Sequence, residues 1–380
     1  MVAALATISA AIGVAYSLQE PPYAPPVAGR LPDGGARGVS IAPTVDALTF
    51  ARYRDGERLR LLRVESYDDG IVRGIALDAL TADDARADPV TLMGHASFAE
   101  VMDAIGNPVT VEEGALVVPF DGRNVQIAIG GNYPSHMAET TLEESFLFPK
   151  MRPPERFDAA VSVGGGLLDY EMELGFVPLP PGGVDTPTMG LVLATDYTDR
   201  EILLRRSQFT DIESGIGFTD AKSRRGYMPV GNLFVVPRDT DRFYRTLELR
   251  LYVNGTLRQV ALPGEMVWDM GEIVRQSVAA RDRQWEWQGG LASLPIAGRA
   301  ILPRTVILSG TTDGVVFRPP SVRQVALGIL EGLSDPRRMR DAMVGPAIRE
   351  AKRDRRYLQP DDEVVGIADR LGIVRNRIVP

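Results

Sequence analysis

Glu171 and Glu173 stand two apart in "LLDYEMELGF" (residues 167–176), inside a run otherwise built for burial. A strand alternates its side chains, so the period that sends Leu168 and Tyr170 to one face sends Asp169, Glu171 and Glu173 to the other. Carboxylates that close raise one another's proton affinity unless a cation or water separates them. Such a row is either the solvated edge of an amphipathic strand, where acidic residues usually sit, or the donor set of a cation site. Composition narrows the second choice. The 380 residues include no cysteine and only two histidines, His95 and His136, which excludes disulfides, thiol nucleophiles, zinc–thiolate sites and His-rich metal sites. A metal here has to be held by oxygen, which points to a hard cation such as Mg²⁺, Mn²⁺ or Ca²⁺.

His136 and Glu139 are three apart, and one helical turn would bring both to the same face. A lone histidine is more often structural, and His95, outside every motif below, is the example of that. Of the 42 basic residues only Lys150, Lys222 and Lys352 are lysines, so each of them draws attention. The net charge of −8 argues against a general nucleic-acid binder, which would show a basic field.

The elements that must position these residues are mostly strands. "ALTFARYRDGERLRLLRVESYDDGIVRGIALDAL" alternates apolar and polar positions around Asp55-Gly56 and Asp69-Gly70, strong hairpin signals. "SFAEVMDAIG" has helical spacing, with Ser97 as N-cap and Gly106 as the stop. "LELRLYVNGTLRQVAL" predicts a second hairpin about Asn254-Gly255, and "MVWDMGEIVRQSVA" a helix with Met266, Ile273 and Val274 on its apolar face. The class is α+β with β dominant. Residues 1–19 form an apolar segment with no charge before Glu20, expected to be an export signal or membrane anchor, with a buried helix of a cytoplasmic protein as the alternative. Residues 20–45 are read as a Pro/Gly-rich linker, 46–120 as a small N-terminal α+β domain, and 121–380 as a second, larger domain.

Several short stretches then fall into one order: "GGNYPSHMAE" (130–139), "FLFPK" (146–150), "LDYEMEL" (168–174), "ATDYTDRE" (194–201), "AKSRRGYMPVGNLFV" (221–235), "LYVNGTLRQ" (251–259), "SGTTDGVVF" (309–317) and "LQPDDEVVGIADRLGIVRN" (358–376). From residue 48 onwards the chain resembles the fumarylacetoacetate hydrolase family. The resemblance implies a mixed β-sandwich or β-roll catalytic domain. It also implies that Glu171, Glu173 and Asp196 hold a divalent cation, normally Mg²⁺, and that His136 with Glu139 activates water. Lys222, in a segment similar to the family's G-K-S-x-D-x-F-x-P, would neutralise a developing enolate, and Arg200 would join the catalytic set. Tyr133, Gly310 and Thr311 would bind substrate.

The implied activity is metal-dependent hydrolysis of a C–C bond in a β-diketo acid or acylpyruvate. Decarboxylation, tautomerisation, sugar-acid dehydration and a non-catalytic keto-acid-binding scaffold stay open. A homodimer is the family expectation, with no nucleic-acid partner and a membrane tether only if residues 1–18 are an anchor. Departures from the family pattern are Leu203 at an expected Gln, Thr195 for Asn, Arg225 near the Asp of the lysine segment, and Thr312 for Pro. An insert from Ser321 to Arg356 lengthens a connection that is usually short. Val325, Ile329 and Leu333 predict one helix, Ser334 with Pro336 the start of a second, and Gly345-Pro346 a break. Because it begins directly after Thr311–Phe317, the insert is expected near the active-site mouth or on the dimer edge beside it. Arg337 to Arg356 holds eight basic and three acidic residues, net +5, which reads as a cover that attracts anionic keto acids, as a patch on anionic lipid if residues 1–18 are an anchor, or as a solvated helical decoration.

Overall fold

Turn residues decide where the first strands reverse. Ala47–Asp55, Arg58–Asp68 and Ile71–Ala76 form an antiparallel meander, and Asp69 and Gly70 between the last two both take positive φ, as a tight two-residue hairpin requires. The first reversal sits one residue later than the Asp-Gly signal, with Gly56 at φ +59° opening the loop. Asn254-Gly255 behaves like Asp69-Gly70 and joins Leu249–Val253 to Thr256–Ala261. The computed structural model describes residues 29–31, 35–81, 87–180, 188–208, 211–332 and 339–380. The apolar segment 1–19 and residues 20–28 and 32–34 of the linker lie outside the described residues. No helix among the described residues is long and apolar enough to cross a membrane.

Ten strands make one open sheet, in the order Pro108–Glu112, Ile71–Ala76, Arg58–Asp68, Ala47–Asp55, Phe234–Pro237, Met189–Thr195, Met172–Pro178, Ile307–Leu308, Gln126–Gly130 and Phe146–Lys150. The N-terminal meander is therefore hydrogen-bonded to the rest through the ladder between Ala47–Asp55 and Phe234–Pro237. A second, five-stranded sheet runs Thr256–Ala261, Leu249–Val253, Glu363–Ala368, Gly372–Val379 and Val161–Ser162, and packs on Met172–Pro178 and Met189–Thr195. The protein is a strand-rich α+β fold, with no closed barrel among the described residues.

The acidic strand has no solvent face. Every residue from Leu167 to Leu179 is buried, so the solvated-edge reading of Glu171 and Glu173 is corrected. Met172 points at the second sheet, where a Cβ on Gly366 would come within 2.2 Å of its Cε. By alternation Glu171 and Glu173 point to the opposite face. The strand is also interrupted: Leu168–Asp169 pairs with Thr198–Asp199, and the ladder resumes at Met172 with Met189–Thr195.

The helices are short. Phe98–Met102 starts on the predicted Ser97 with a complete capping box, a feature typically worth ~1 kcal/mol, but ends at Asp103, before Gly106. Gly106 serves instead for close approach, since a Cβ there would meet the Ala76 carbonyl oxygen at 2.1 Å. Met270–Ala279 starts on Asp269, which leaves Met266 ahead of the helix while Ile273 and Val274 are buried as expected. The insert contains two helices, Val322–Gly332 and Met339–Arg353, packed together where Gly328 leaves no room for a side chain against Ala342 and Met343. Pro346 lies inside the second helix, so the predicted break is absent. Ile329 is 42% exposed and does not share the inward face of Val325. Leu333, Ser334 and Pro336 fall outside the described residues.

Candidate metal centre and active site

Antiparallel register builds the acidic cluster. Ala194 pairs with Glu173 and Thr195 with Met172, and the next step is a hydrogen bond from Asp196 N–H to the Glu171 carbonyl at 2.9 Å. Two strand ends thus bring a third carboxylate beside the first two. One oxygen from each of Glu171, Glu173 and Asp196 lies within 4.8 Å of the others, and all three residues are buried.

Three cations surround this cluster. Lys222, at the end of helix Phe218–Lys222, donates to Glu171 Oε2 at 2.5 Å and to Asp196 Oδ2 at 2.8 Å. Lys150, fully buried at the end of its strand, donates to Asp196 Oδ1 and to the Tyr227 carbonyl. Arg200 opens helix Arg200–Arg206 and bridges Asp169 Oδ2 at 2.9 Å and Glu171 Oε1 at 2.5 Å, with its guanidinium 5.0 Å from the Phe317 ring centroid. Four carboxylates, Asp169, Glu171, Glu173 and Asp196, therefore face three cations, a balance of −1.

The shortfall falls on one residue. Burial alone would raise the Glu171 pKa, but Lys222 and Arg200 pull it down to about 2. Glu173 is pushed the other way by burial and by the Asp196 and Glu171 charges. Its side chain accepts a hydrogen bond from Gly310 N–H at 2.8 Å and makes no ion pair among the described residues. Gly310 has φ +78°, and a Cβ there would lie 2.9 Å from that of Asn132, so a glycine is needed for this contact. Burial pushes the Lys150 ammonium down, whereas Asp196 and Glu171 hold Lys222 above its ordinary value despite burial. An all-oxygen donor set with one carboxylate lacking a cation fits a hard divalent ion. Such an ion would share Glu171 and Asp196 with the flanking lysines and supply the missing charge at Glu173.

Helix Pro134–Thr140 carries the second group. Proline occupies its first turn, where no N–H is needed, and Thr141 closes it in the left-handed region. His136 Nδ1 lies 3.2 Å from Glu139 Oε2. A carboxylate only accepts, so this contact places the proton on Nδ1 and leaves Nε2 as the basic nitrogen. Glu139 is itself fixed by Gly314 N–H at 3.1 Å and Arg318 at 2.8 Å.

Both groups border one cavity of about 580 Å³, whose lining includes His136, Glu171, Arg200, Lys222 and Thr311. Glu173 and Asp196 sit behind Glu171, outside the lining. The remaining candidates have other contacts. Gly310 directs its N–H to Glu173, and the Thr311 hydroxyl accepts from Gln259 at 3.0 Å and donates to the Met172 carbonyl at 3.1 Å. Tyr133 is buried next to this helix, beside Ser309, and it does not border the cavity. Leu203 is buried and does line it. Arg225 is exposed.

Lys150, Asp169 and Gln259 are organising residues to which the sequence assigned no role. Lys150 had a signal, as one of three lysines at the end of "FLFPK". Asp169 had a weaker one, being in phase with Glu171; it also accepts the Val316 and Phe317 N–H groups at 3.0 Å each. Gln259 had none beyond lying in a motif, yet its amide ties Met172 to Thr311, Thr312 and Asp313.

The strand-rich fold of two packed sheets thus holds a buried E-x-E and Asp cluster that could bind a metal ion. The sequence profile described as fumarylacetoacetate (FAA) hydrolase, C-terminal, matches residues 126–379, and the chain belongs to that family. No curated protein matches it in sequence. Among solved structures it is similar to fumarylacetoacetate hydrolase from psychrophilic Exiguobacterium antarcticum (19% identity, 87% of this chain and 99% of that one, TM-score 0.54). It is also similar to maleylpyruvate hydrolase from Sphingobium sp. SYK-6 (18%, 87% and 99%, TM-score 0.53). A third likeness is to 5-carboxymethyl-2-hydroxymuconate delta-isomerase from Mycobacterium smegmatis (17%, 87% and 99%, TM-score 0.50). At these identities the likenesses establish the fold.

Proposed function

We propose that the protein is a metal-dependent hydrolase that cleaves the C–C bond of an acylpyruvate or related β-diketo acid. One observation carries this: His136, backed by Glu139, and the Glu171 edge of the carboxylate cluster border the same cavity. A divalent cation held by Glu171, Glu173 and Asp196, Mg²⁺ by the family expectation, would supply Lewis acidity to the keto-acid oxygens. His136 Nε2 takes a proton from water while Glu139 stabilises the imidazolium through Nδ1. The hydroxide adds to the distal acyl carbonyl, and the bond between that carbon and the methylene breaks. The products are a carboxylic acid and the enolate of pyruvate, which takes one proton to become pyruvate. Lys222 lowers the energy of the enolate by placing an ammonium beside it. The balance of −1 becomes +1 once a divalent ion is bound, which suits an anionic substrate.

The test is steady-state cleavage of a small acylpyruvate panel with Mg²⁺ or Mn²⁺ and in excess chelator, with oxaloacetate decarboxylation and keto–enol tautomerisation measured beside it. Metal-dependent pyruvate release supports the proposal. Turnover of oxaloacetate alone, or tautomerisation that survives His136→Ala, would replace it with the decarboxylase or isomerase chemistry of the same family. The homodimer is proposed on the family expectation and is checked by light scattering.

A further inference from the structure

The acidic floor occupies one end of the cavity, and most of the remaining lining is apolar. Leu142, Phe148, Leu203, Leu204 and Phe218 line it, and the insert closes it with Val325 from one helix and Met343 and Val344 from the other. Leu203 stands where the family pattern expects a Gln. The volume, about 580 Å³, lies within the roughly 300–1,000 Å³ typical of sites for drug-sized ligands, far more than a bare keto-acid head fills.

Charge on this wall points the same way. Among the described residues the only cations lining the cavity are Arg200 and Lys222, and both are bonded to the carboxylates of the floor. The remaining lining charges are Glu171 itself, Glu143 and Glu213. A second carboxylate at the far end of a substrate would meet, among the described residues, no free cation there and two acids. The apolar wall rewards a chain, whereas a buried unpaired carboxylate is costly.

We propose that the substrate is an acylpyruvate-type keto acid whose acyl arm is apolar, a medium-length alkyl or aryl group, and not a dicarboxylate. This rests on the hydrolase proposal for the position of the keto-acid head, and adds what the wall selects. Leu203, Leu204 and the insert helices are then specificity-determining, and the insert is a hydrophobic cover in place of an anion-attracting one.

The Mn²⁺-loaded full chain is assayed with straight-chain acylpyruvates from acetyl to decanoyl, benzoylpyruvate and the dicarboxylate maleylpyruvate. Burial of each added methylene is worth about fourfold, so kcat/KM should climb by about that factor per carbon until the cavity is full. Maleylpyruvate should fall at least tenfold below an apolar acylpyruvate of similar length. Leu203→Gln and Val325→Glu should each lower the ratio of octanoyl to acetyl kcat/KM at least tenfold, with circular dichroism confirming the fold. A flat length profile, or maleylpyruvate as the best substrate, overturns the inference while leaving the hydrolase intact. Binding of straight-chain 2-oxo acids to the Mn²⁺ form by calorimetry separates the two proposals. If no acylpyruvate is cleaved yet affinity rises with chain length, the hydrolase proposal fails and the apolar arm stands. If nothing binds or is cleaved, both fail.

Discussion

The two ends of the active-site cavity are built by opposite means. The floor holds seven charged side chains, all buried, fixed by strand register and reciprocal ion pairs. The far wall is a pair of helices and apolar side chains attached at its edge by exposed contacts such as Lys352 to Glu201 and Arg205 to Asp341. Buried charge with fixed partners gives precise geometry, and removing one partner is strongly destabilising. Apolar surface is tolerant of shape and rewards area. Chemistry therefore belongs to the floor and substrate choice to the wall, and each can be altered without the other.

The sharpest way to break that separation is Glu173→Gln. Divalent metal affinity, read by Mn²⁺ titration, should fall more than about 100-fold, because a ligand is lost where even the partners of ligands are worth 10–100-fold. All turnover goes with it. Metal-free protein should move the other way: Glu173 is the carboxylate without a cation, so its neutral amide should raise Tm in chelator. Unchanged metal affinity would remove Glu173 from the centre.

His136→Ala should lower kcat by about 10²–10⁴-fold while leaving metal affinity and 2-oxo acid binding within a few-fold, since a general base acts only as the proton moves. A parallel collapse of binding would make His136 part of the scaffold. Lys150→Met tests the floor's ionic balance. It deprives Asp196 of one of its two ammonium partners in a fully buried position, a change of the kind that costs about 3–5 kcal/mol, read by urea unfolding of the metal-free form. Added Mg²⁺ should recover part of that loss, because the metal supplies the charge that Lys150 had supplied.

The difference between floor and wall also decided what the sequence could tell. Glu171 with Glu173 and His136 with Glu139 are local spacings, two on a strand and three on a helix, and periodicity places such pairs on one face before any tertiary contact is known. Asp196 needed the family order, and the ladder to the Met172–Pro178 strand supplies the physical reason. Lys150 meets Asp196 across 46 residues, and Gly310 meets Glu173 across 137. No local period encodes either contact. The wall was misjudged for another reason. Val325 and Ile329 share a helical spacing, but the insert's first helix faces its partner helix, the cavity and solvent at once, so one apolar stripe is divided and Ile329 is left outward. Of the eight basic residues that suggested an anion-attracting cover, Arg349, Lys352, Arg353 and Arg356 each pair with a carboxylate, and Arg337 and Arg338 lie outside the described residues.

The smallest effect comes from the seam where wall meets floor. Lys352, near the end of the insert's second helix, reaches Glu201 Oε2 at 2.5 Å and the Gly165 carbonyl at 3.0 Å. Glu201 belongs to the same short helix as Arg200 and Leu203, so this contact ties the cover to the element that carries both an ion-pair residue of the floor and an apolar residue of the wall. Lys352 is 44% exposed and Glu201 19%, so Lys352→Met should cost under about 1 kcal/mol of stability, as partly solvated pairs do. Burial tends to raise the Glu201 pKa, but Lys352 and Arg205 hold it below the ordinary value. A carboxylate depressed in the folded state contributes stability above its unfolded pKa and loses it as pH falls through the folded one. The Tm gap between wild type and Lys352→Met should therefore be present at neutral pH and close as pH drops below the ordinary glutamate value of 4.5. In kinetics, KM for a long acylpyruvate should rise by a few-fold while KM for acetylpyruvate moves less, because the long arm alone reaches the insert. Equal shifts for both would show that the seam positions Arg200 and not the cover, and would join the two ends of the cavity that are here held apart.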